Sequence, residues 1–245
     1  MVINCCGACD AKERNKQEQV NALRGVSAAH LEAKIKAGLP TCTCIFNFNY
    51  YYLATMAYAY SISDQSAVYF LTCTVVNWVD VFTRKDYADI VEDSLNFCIE
   101  KKGLIVYGYV IMSNHVHLLI QAKHDNLSDV LRDFKKFTAQ RIINAIEVNE
   151  KESRKRWMLW LFKQAEDKEI KQVSYQFWQP DNHAVLCFSL SFSWQKLEYI
   201  HNNPVRTGTV DNAEAFKRSS AADYYYGKQK GNVKVEFLDT IITTV

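Results

Sequence analysis

Between residues 67 and 206 the hydrophobic pattern switches regularly between a period of two and a period near four. Ala67 to Val76 is rich in β-branched and aromatic residues and predicts a strand. Tyr87, Ile90, Val91, Ser94 and Phe97 recur at helical spacing, with Thr83 and Asp86 as the cap and Gly103 as the stop. Leu104 to Ile111 predicts a second strand, Ser113 and Asn114 a turn, and the run after them a hairpin partner. A long helix comes next, capped by Asn126 or Ser128, with Leu127, Val130, Leu131, Phe134, Phe137, Ile142 and Ile146 on its buried side. Val173 to Trp178 and Ala184 to Cys187 predict short strand pieces around Pro180. The order strand, helix, strand, strand, helix, strand predicts an α+β, ferredoxin-like antiparallel sheet with helices on one face. A further helix starts near Ser191 or Ser193, keeps Trp194, Leu197 and Ile200 on one side, and is expected to end at Asn203 because Pro204 disfavours helical geometry before it.

The hairpin's second strand reads HVHLLIQ and interrupts its apolar run with His115 and His117. Side chains two apart leave one face of a strand, so the imidazoles lie about 6.6 Å apart at Cα. Val116, Leu118 and Ile120 take the opposite face. Two histidines on one surface make half of a divalent-metal site. On the last helix Tyr199 and Asn203 are four apart and share a face. A phenol can attack phosphorus while a cation draws charge from the nonbridging oxygens, and an amide carbonyl suits a hard ion such as Mg²⁺ or Mn²⁺. A phenol with the ordinary pKa of about 10 needs a proton acceptor. His201 and Lys196 project to other helix faces, and His124 and His183 read as turn histidines.

With 245 residues, 49% of them hydrophobic, the chain can bury a medium core. The formal charge of +2 argues nothing about partners. Between Val130 and Lys171, however, eleven Lys and Arg face seven acids, an excess that suits a phosphate-rich partner or a solvated mixed-charge helix face. On the long helix Arg132, Lys135, Lys136 and Arg141 are placed for backbone phosphates, with Trp157 or Trp178 available to stack on an unpaired base.

Residues 1–55 share no pattern with the rest of the chain and read as an extension, disordered or an over-called start, before a catalytic domain over 56–227 and a tail over 228–245. Cys5, Cys6, Cys9, Cys42 and Cys44 fall in that extension. No apolar signal segment precedes them, so a disulfide framework is not expected, and their separation fits no compact zinc finger. The uncharged stretch Ile45 to Ile62 is a poor membrane span because of its asparagines, tyrosines and serines. A cytoplasmic protein without membrane attachment is expected.

MSNHVHLL (112–119), FKKFTAQRI (134–142), FWQPDNH (177–183), YIHNNPVRTG (199–208) and SSAADYY (219–225) together resemble the REP-associated tyrosine transposases, in the single-tyrosine branch of the HUH endonucleases. The resemblance runs from about Met56 to Gly227. It implies a ferredoxin-like fold, binding of single-stranded or hairpin DNA such as palindromic repeats, and cleavage through a 5′-phosphotyrosine that leaves a free 3′-hydroxyl. It assigns Tyr199 as nucleophile, His115 and His117 as metal ligands, and Asn203 as the polar residue one turn on. Arg206, in the same phrase, joins Arg132, Lys135, Lys136 and Arg141 as DNA-binding candidates. Ser113, Thr207 and Ala222 depart from the family's usual residues, and LCFSLSFSW (186–194) is more apolar than its usual connector. Two alternatives are a catalytically inactive hairpin-binding protein and a hydrolytic metallonuclease. Monomer and homodimer are both compatible with the pattern.

Overall fold

The computed structural model describes residues 62–164 and 175–238. The extension with its five cysteines, Met56, most of the Ile45–Ile62 stretch, and the start of the strand expected at Val173 lie outside these residues.

Among the described residues four strands form one antiparallel sheet: β1 (Tyr69–Thr74), β2 (Leu104–Ile111), β3 (His115–Ala122) and β4 (Val185–Leu186), in the order β2-β3-β1-β4. That is the strand order of the expected ferredoxin-like arrangement. Among the described residues five α-helices complete the α+β fold: α1 (Lys85–Lys102), α2 (Leu127–Val148), α3 (Lys155–Gln164), α4 (Leu190–Arg206) and α5 (Ala221–Tyr226).

Alternation along the strands divides the interior into two cores. Tyr69, Leu71 and Cys73 of β1 and Val116, Leu118 and Ile120 of β3 face α1 and α2, meeting Val91, Leu95, Val130, Phe134 and Ile142. Phe70 of β1, Val110 of β2 and Leu119 of β3 face the other way and are covered by Leu197 and Ile200 of α4. Burying each of those two side chains contributes roughly 1.5–3 kcal/mol, which holds α4 on the sheet. The tyrosine helix therefore occupies the sheet face opposite the other two long helices.

Several expectations change in detail. Thr83 does not cap α1: its hydroxyl donates to the Asp80 carbonyl, and Arg84 is the cap residue. Gly103 does stop α1, in the left-handed conformation with φ of 70°. Phe97 and Phe137, expected inside, are exposed, and Leu95, Cys98 and Ile143 take core positions. The charged segment after residue 149, to which the sequence pattern assigns no element, contains α3, whose Met158 and Phe162 are buried. Trp178 is a core residue whose indole N–H donates to Thr138 Oγ1 at 2.9 Å.

LCFSLSFSW is not a connector. Its first residue closes β4, Ser189 caps α4 by accepting from the Phe192 N–H at 3.2 Å, and the rest forms the helix's opening turns. Nor does α4 end at Asn203. It continues through Pro204 to Arg206, because only one turn remains and other donors hold it: Thr207 N–H bonds the Asn203 carbonyl and the Thr207 hydroxyl bonds Pro204 O. Beyond α5, Val233, Val235 and Leu238 are buried, and Asp223 accepts from the Lys230 and Gly231 N–H groups. No helix among the described residues is long and apolar enough to cross a membrane.

Candidate active site

β3 presents both histidines on the face that α4 covers. In the ladder His117 lies opposite Thr72 of β1 and Val110 of β2, and His115 opposite Thr74. The His115 and His117 ring centroids are 4.6 Å apart, and the Tyr199 ring lies 5.4 Å from that of His117. Phe70 completes the cluster, stacked on His117 at 5.4 Å and edge-on to Tyr199 at 5.8 Å. Trp78 stands edge-on to His115 at 6.0 Å.

Hydrogen bonds orient both imidazoles. His117 Nδ1 is paired with Thr72 Oγ1 at 2.9 Å and His115 Nδ1 with Asn114 Oδ1 at 2.7 Å. Each ring thus uses Nδ1 for the protein and keeps Nε2 for something else. His117 Nε2 is buried without a partner, a costly state for a polar atom and one that a ligand would relieve. Burial, helped by the neighbouring His115, pushes the His117 pKa down to about 3, and burial lowers that of His115. Neutral imidazoles are the form that donates a lone pair to a cation.

Asn203 comes one helical turn after Tyr199 and is almost buried at 8% exposure, on the register expected for a third ligand. Among the described residues no cluster of three or more His, Cys, Asp or Glu side chains is placed to hold a metal. The two histidines, with the orphaned Nε2 of His117, fit a divalent ion as a partial shell of nitrogen donors.

Two cations border the aromatic cluster. The Arg206 guanidinium lies 5.5 Å from the Tyr199 ring centroid, and Lys196 Nζ lies 5.2 Å from that of Phe70. Lys196, expected on another helix face, instead borders the site, because it lies three residues before Tyr199 and so shares its side of the helix, with its ammonium over Phe70. His201 does turn away, with Nε2 paired to Ser220 Oγ at 2.9 Å.

The basic residues of α2 are not at this site, since α2 packs on the opposite sheet face. Arg132 is bonded to Asp129 at 2.6 Å and also reaches Asp133. Lys135 is turned inward, its ammonium donating to the Gln179 carbonyl at 2.7 Å and Asn182 Oδ1 at 2.6 Å. It clasps the FWQPDNH loop, whose Asn182 and Gln179 in turn bond the backbone of β1. Lys136 and Arg141 remain exposed, the latter over the Phe137 ring at 5.8 Å. Thr72, Phe70, Asn114 and Lys196 are site residues that the sequence pattern does not reveal. Only β1–β3 pairing, which periodicity does not number, brings the first two to the histidines.

Residues 65–165 match the family model described as Transposase IS200 like. This segment, less than half of the chain, is similar to the IS200-like transposases. It contains β1 through α3 and hence both histidines, while Tyr199 lies downstream of it. A solved structure of a REP-associated tyrosine transposase bound to a REP hairpin is similar at 15% identity, covering 70% of this chain and 87% of that one, with a TM-score of 0.48. No curated protein matches the chain.

The buried imidazoles make stability depend on pH. His117 and His201, the latter pushed to about 4 by burial, stay neutral in the fold while the unfolded chain protonates them near 6.5. Below about pH 6.5 the unfolded state binds more protons, so their contribution is present at pH 7 and lost progressively as pH falls toward the folded values. Between pH 7 and pH 5, in chelator, urea denaturation should show a loss of roughly 2–4 kcal/mol. His201→Gln should remove about half of that slope. A flat profile would contradict the burial of these rings.

Proposed function

We propose that this IS200-like chain is a DNA transesterase that cleaves and rejoins single-stranded or hairpin DNA through a tyrosyl-phosphate linkage. The observation that carries this reading is the packing of the Tyr199 ring against His117 from a helix on the same sheet face. A strand and a distant helix bring a nucleophile and two lone-pair donors to one place, beside two cations.

In the reaction the Tyr199 phenolic oxygen forms a bond to the scissile phosphorus, and the bond from phosphorus to the 3′ oxygen breaks. The phenol gives up its proton, and the departing 3′ oxygen takes one up to become a free hydroxyl. The DNA 5′ end stays on the protein as phosphotyrosine. The phosphodiester is conserved in number, so rejoining by attack of a 3′-hydroxyl needs no nucleotide cofactor. Mg²⁺ or Mn²⁺ held by His115 and His117, with Asn203 as the oxygen donor, would supply charge neutralisation at the nonbridging oxygens. Thr72 and Asn114 fix the two imidazoles by Nδ1, which leaves their other nitrogens for a ligand. Arg206 and Lys196 are placed to hold flanking phosphates, and Lys136 and Arg141 of α2 to meet DNA leading away from the site.

Incubating the protein with Mn²⁺ and single-stranded hairpin DNA should give an adduct that survives denaturation, with the modified peptide containing Tyr199 by mass spectrometry. Chelator or His117→Ala should lower adduct formation by about 10²-fold. Cleaved DNA without an adduct would favour a water nucleophile, and hairpin binding without cleavage an inactive binding protein.

A further inference from the structure

We propose that the exposed indole of Trp78 is a stacking platform for an unpaired base of the DNA strand entering the site. This rests on the reading of the site as a DNA site. Trp78 belongs to a 3-10 turn, Val76–Trp78, directly after β1. Both Asn77 and Trp78 have φ of 54°, in the left-handed region that side chains with a Cβ seldom adopt. An aromatic residue there is conformationally strained, and such strain concentrates at functional sites. Buried Val76 and Val79 fix the turn on either side, yet the large apolar side chain between them is 57% exposed.

The turn is tied to His115. Asn114 pairs its Oδ1 with His115 Nδ1, while its Nδ2 donates to the Trp78 carbonyl at 3.3 Å and to Asp80 Oδ1 at 3.0 Å. One amide therefore sets both the imidazole and the backbone that presents the indole, whose edge meets His115. A residue held at this position can place a base beside the phosphate next to it.

The surroundings favour nucleic acid over a peptide. α3 packs beside the same turn, has no acidic residue, and exposes Trp157 and Trp160 next to Arg156 and Lys163. Aromatic faces interleaved with cations bind single strands by stacking and phosphate contact.

The test is binding without cleavage, by fluorescence anisotropy of single-stranded oligonucleotides of about 20 nucleotides and randomised sequence, in chelator. Trp78→Gly, whose backbone accepts a positive φ, should keep the unfolding temperature within a few degrees and weaken single-strand binding about tenfold. Trp78→Tyr should retain affinity to within about threefold. Affinity for the duplex form should be the same in all three proteins. Unchanged single-strand affinity in Trp78→Gly overturns the proposal, as does an equal loss on duplex. Absence of any single-strand binding by the wild type overturns it together with the transesterase reading. Trp78-dependent binding with no covalent adduct sinks the transesterase alone.

Discussion

Tyr199→Phe should reduce covalent adduct formation by roughly 10⁴-fold or more while leaving fold and DNA affinity nearly unchanged. The substitution removes one hydroxyl and keeps the ring that packs against His117, Phe70 and Arg206. At 38% exposure that ring is not a core element, so the loss of stability should stay below about 1 kcal/mol. The hydroxyl alone can form the bond to phosphorus, and no neighbouring side chain offers an equivalent nucleophile in this cluster. Denaturing electrophoresis of the protein with labelled DNA measures the adduct, and anisotropy measures affinity. An adduct that persists in Tyr199→Phe would assign the linkage elsewhere. Loss of both adduct and affinity would make Tyr199 a binding residue.

Gly108→Val should cost about 1–3 kcal/mol of stability and about 10²-fold in adduct rate. Gly108 lies in β2 beside a register shift, and a Cβ there would stand 2.3 Å from Leu197 Cδ1 and 3.5 Å from Ser220 Oγ. Leu197 is fully buried and is two residues before Tyr199 on α4. A larger residue must push the helix off the sheet, and the phenol moves with it. Combining Gly108→Ala with Leu197→Ala should restore part of the adduct rate lost in Gly108→Ala, a coupling expected of residues in contact. If Gly108→Val lowers stability without touching the rate, α4 is not the element that places the nucleophile.

Much of this arrangement is legible in the chain because local and tertiary signals agree. β2 occupies the expected Leu104–Ile111, since an apolar run is bounded by a helix-stopping glycine and a polar turn. The alternation at residues 115 to 120 puts imidazoles and core on opposite faces, and the two-core structure has them there. The illegible part depends on tertiary neighbours. Lys135 and Lys136 are adjacent and chemically alike, yet only the first finds the carbonyls of residues 179 and 180 within reach. Phe137 sits at a helical interval from core residues, yet it is exposed and lies under the Arg141 guanidinium. Helix α4 outlasts Pro204 because a later threonine supplies the donors, and Lys196 comes to the site because it lies three residues before Tyr199 on the same helix.

Because β3 builds the domain interior with its even-numbered positions and the reaction centre with His115 and His117, its tolerance to indels should differ from its tolerance to exchange. Removing one residue from the turn at Ser113 and Asn114 would slide the ladder by one step and present Val116 to the DNA side, with both rings forced into hydrocarbon. Such a frame slip would unfold and inactivate the molecule together, whereas single exchanges along the same strand should separate into two alternating classes, one losing solubility and the other losing turnover.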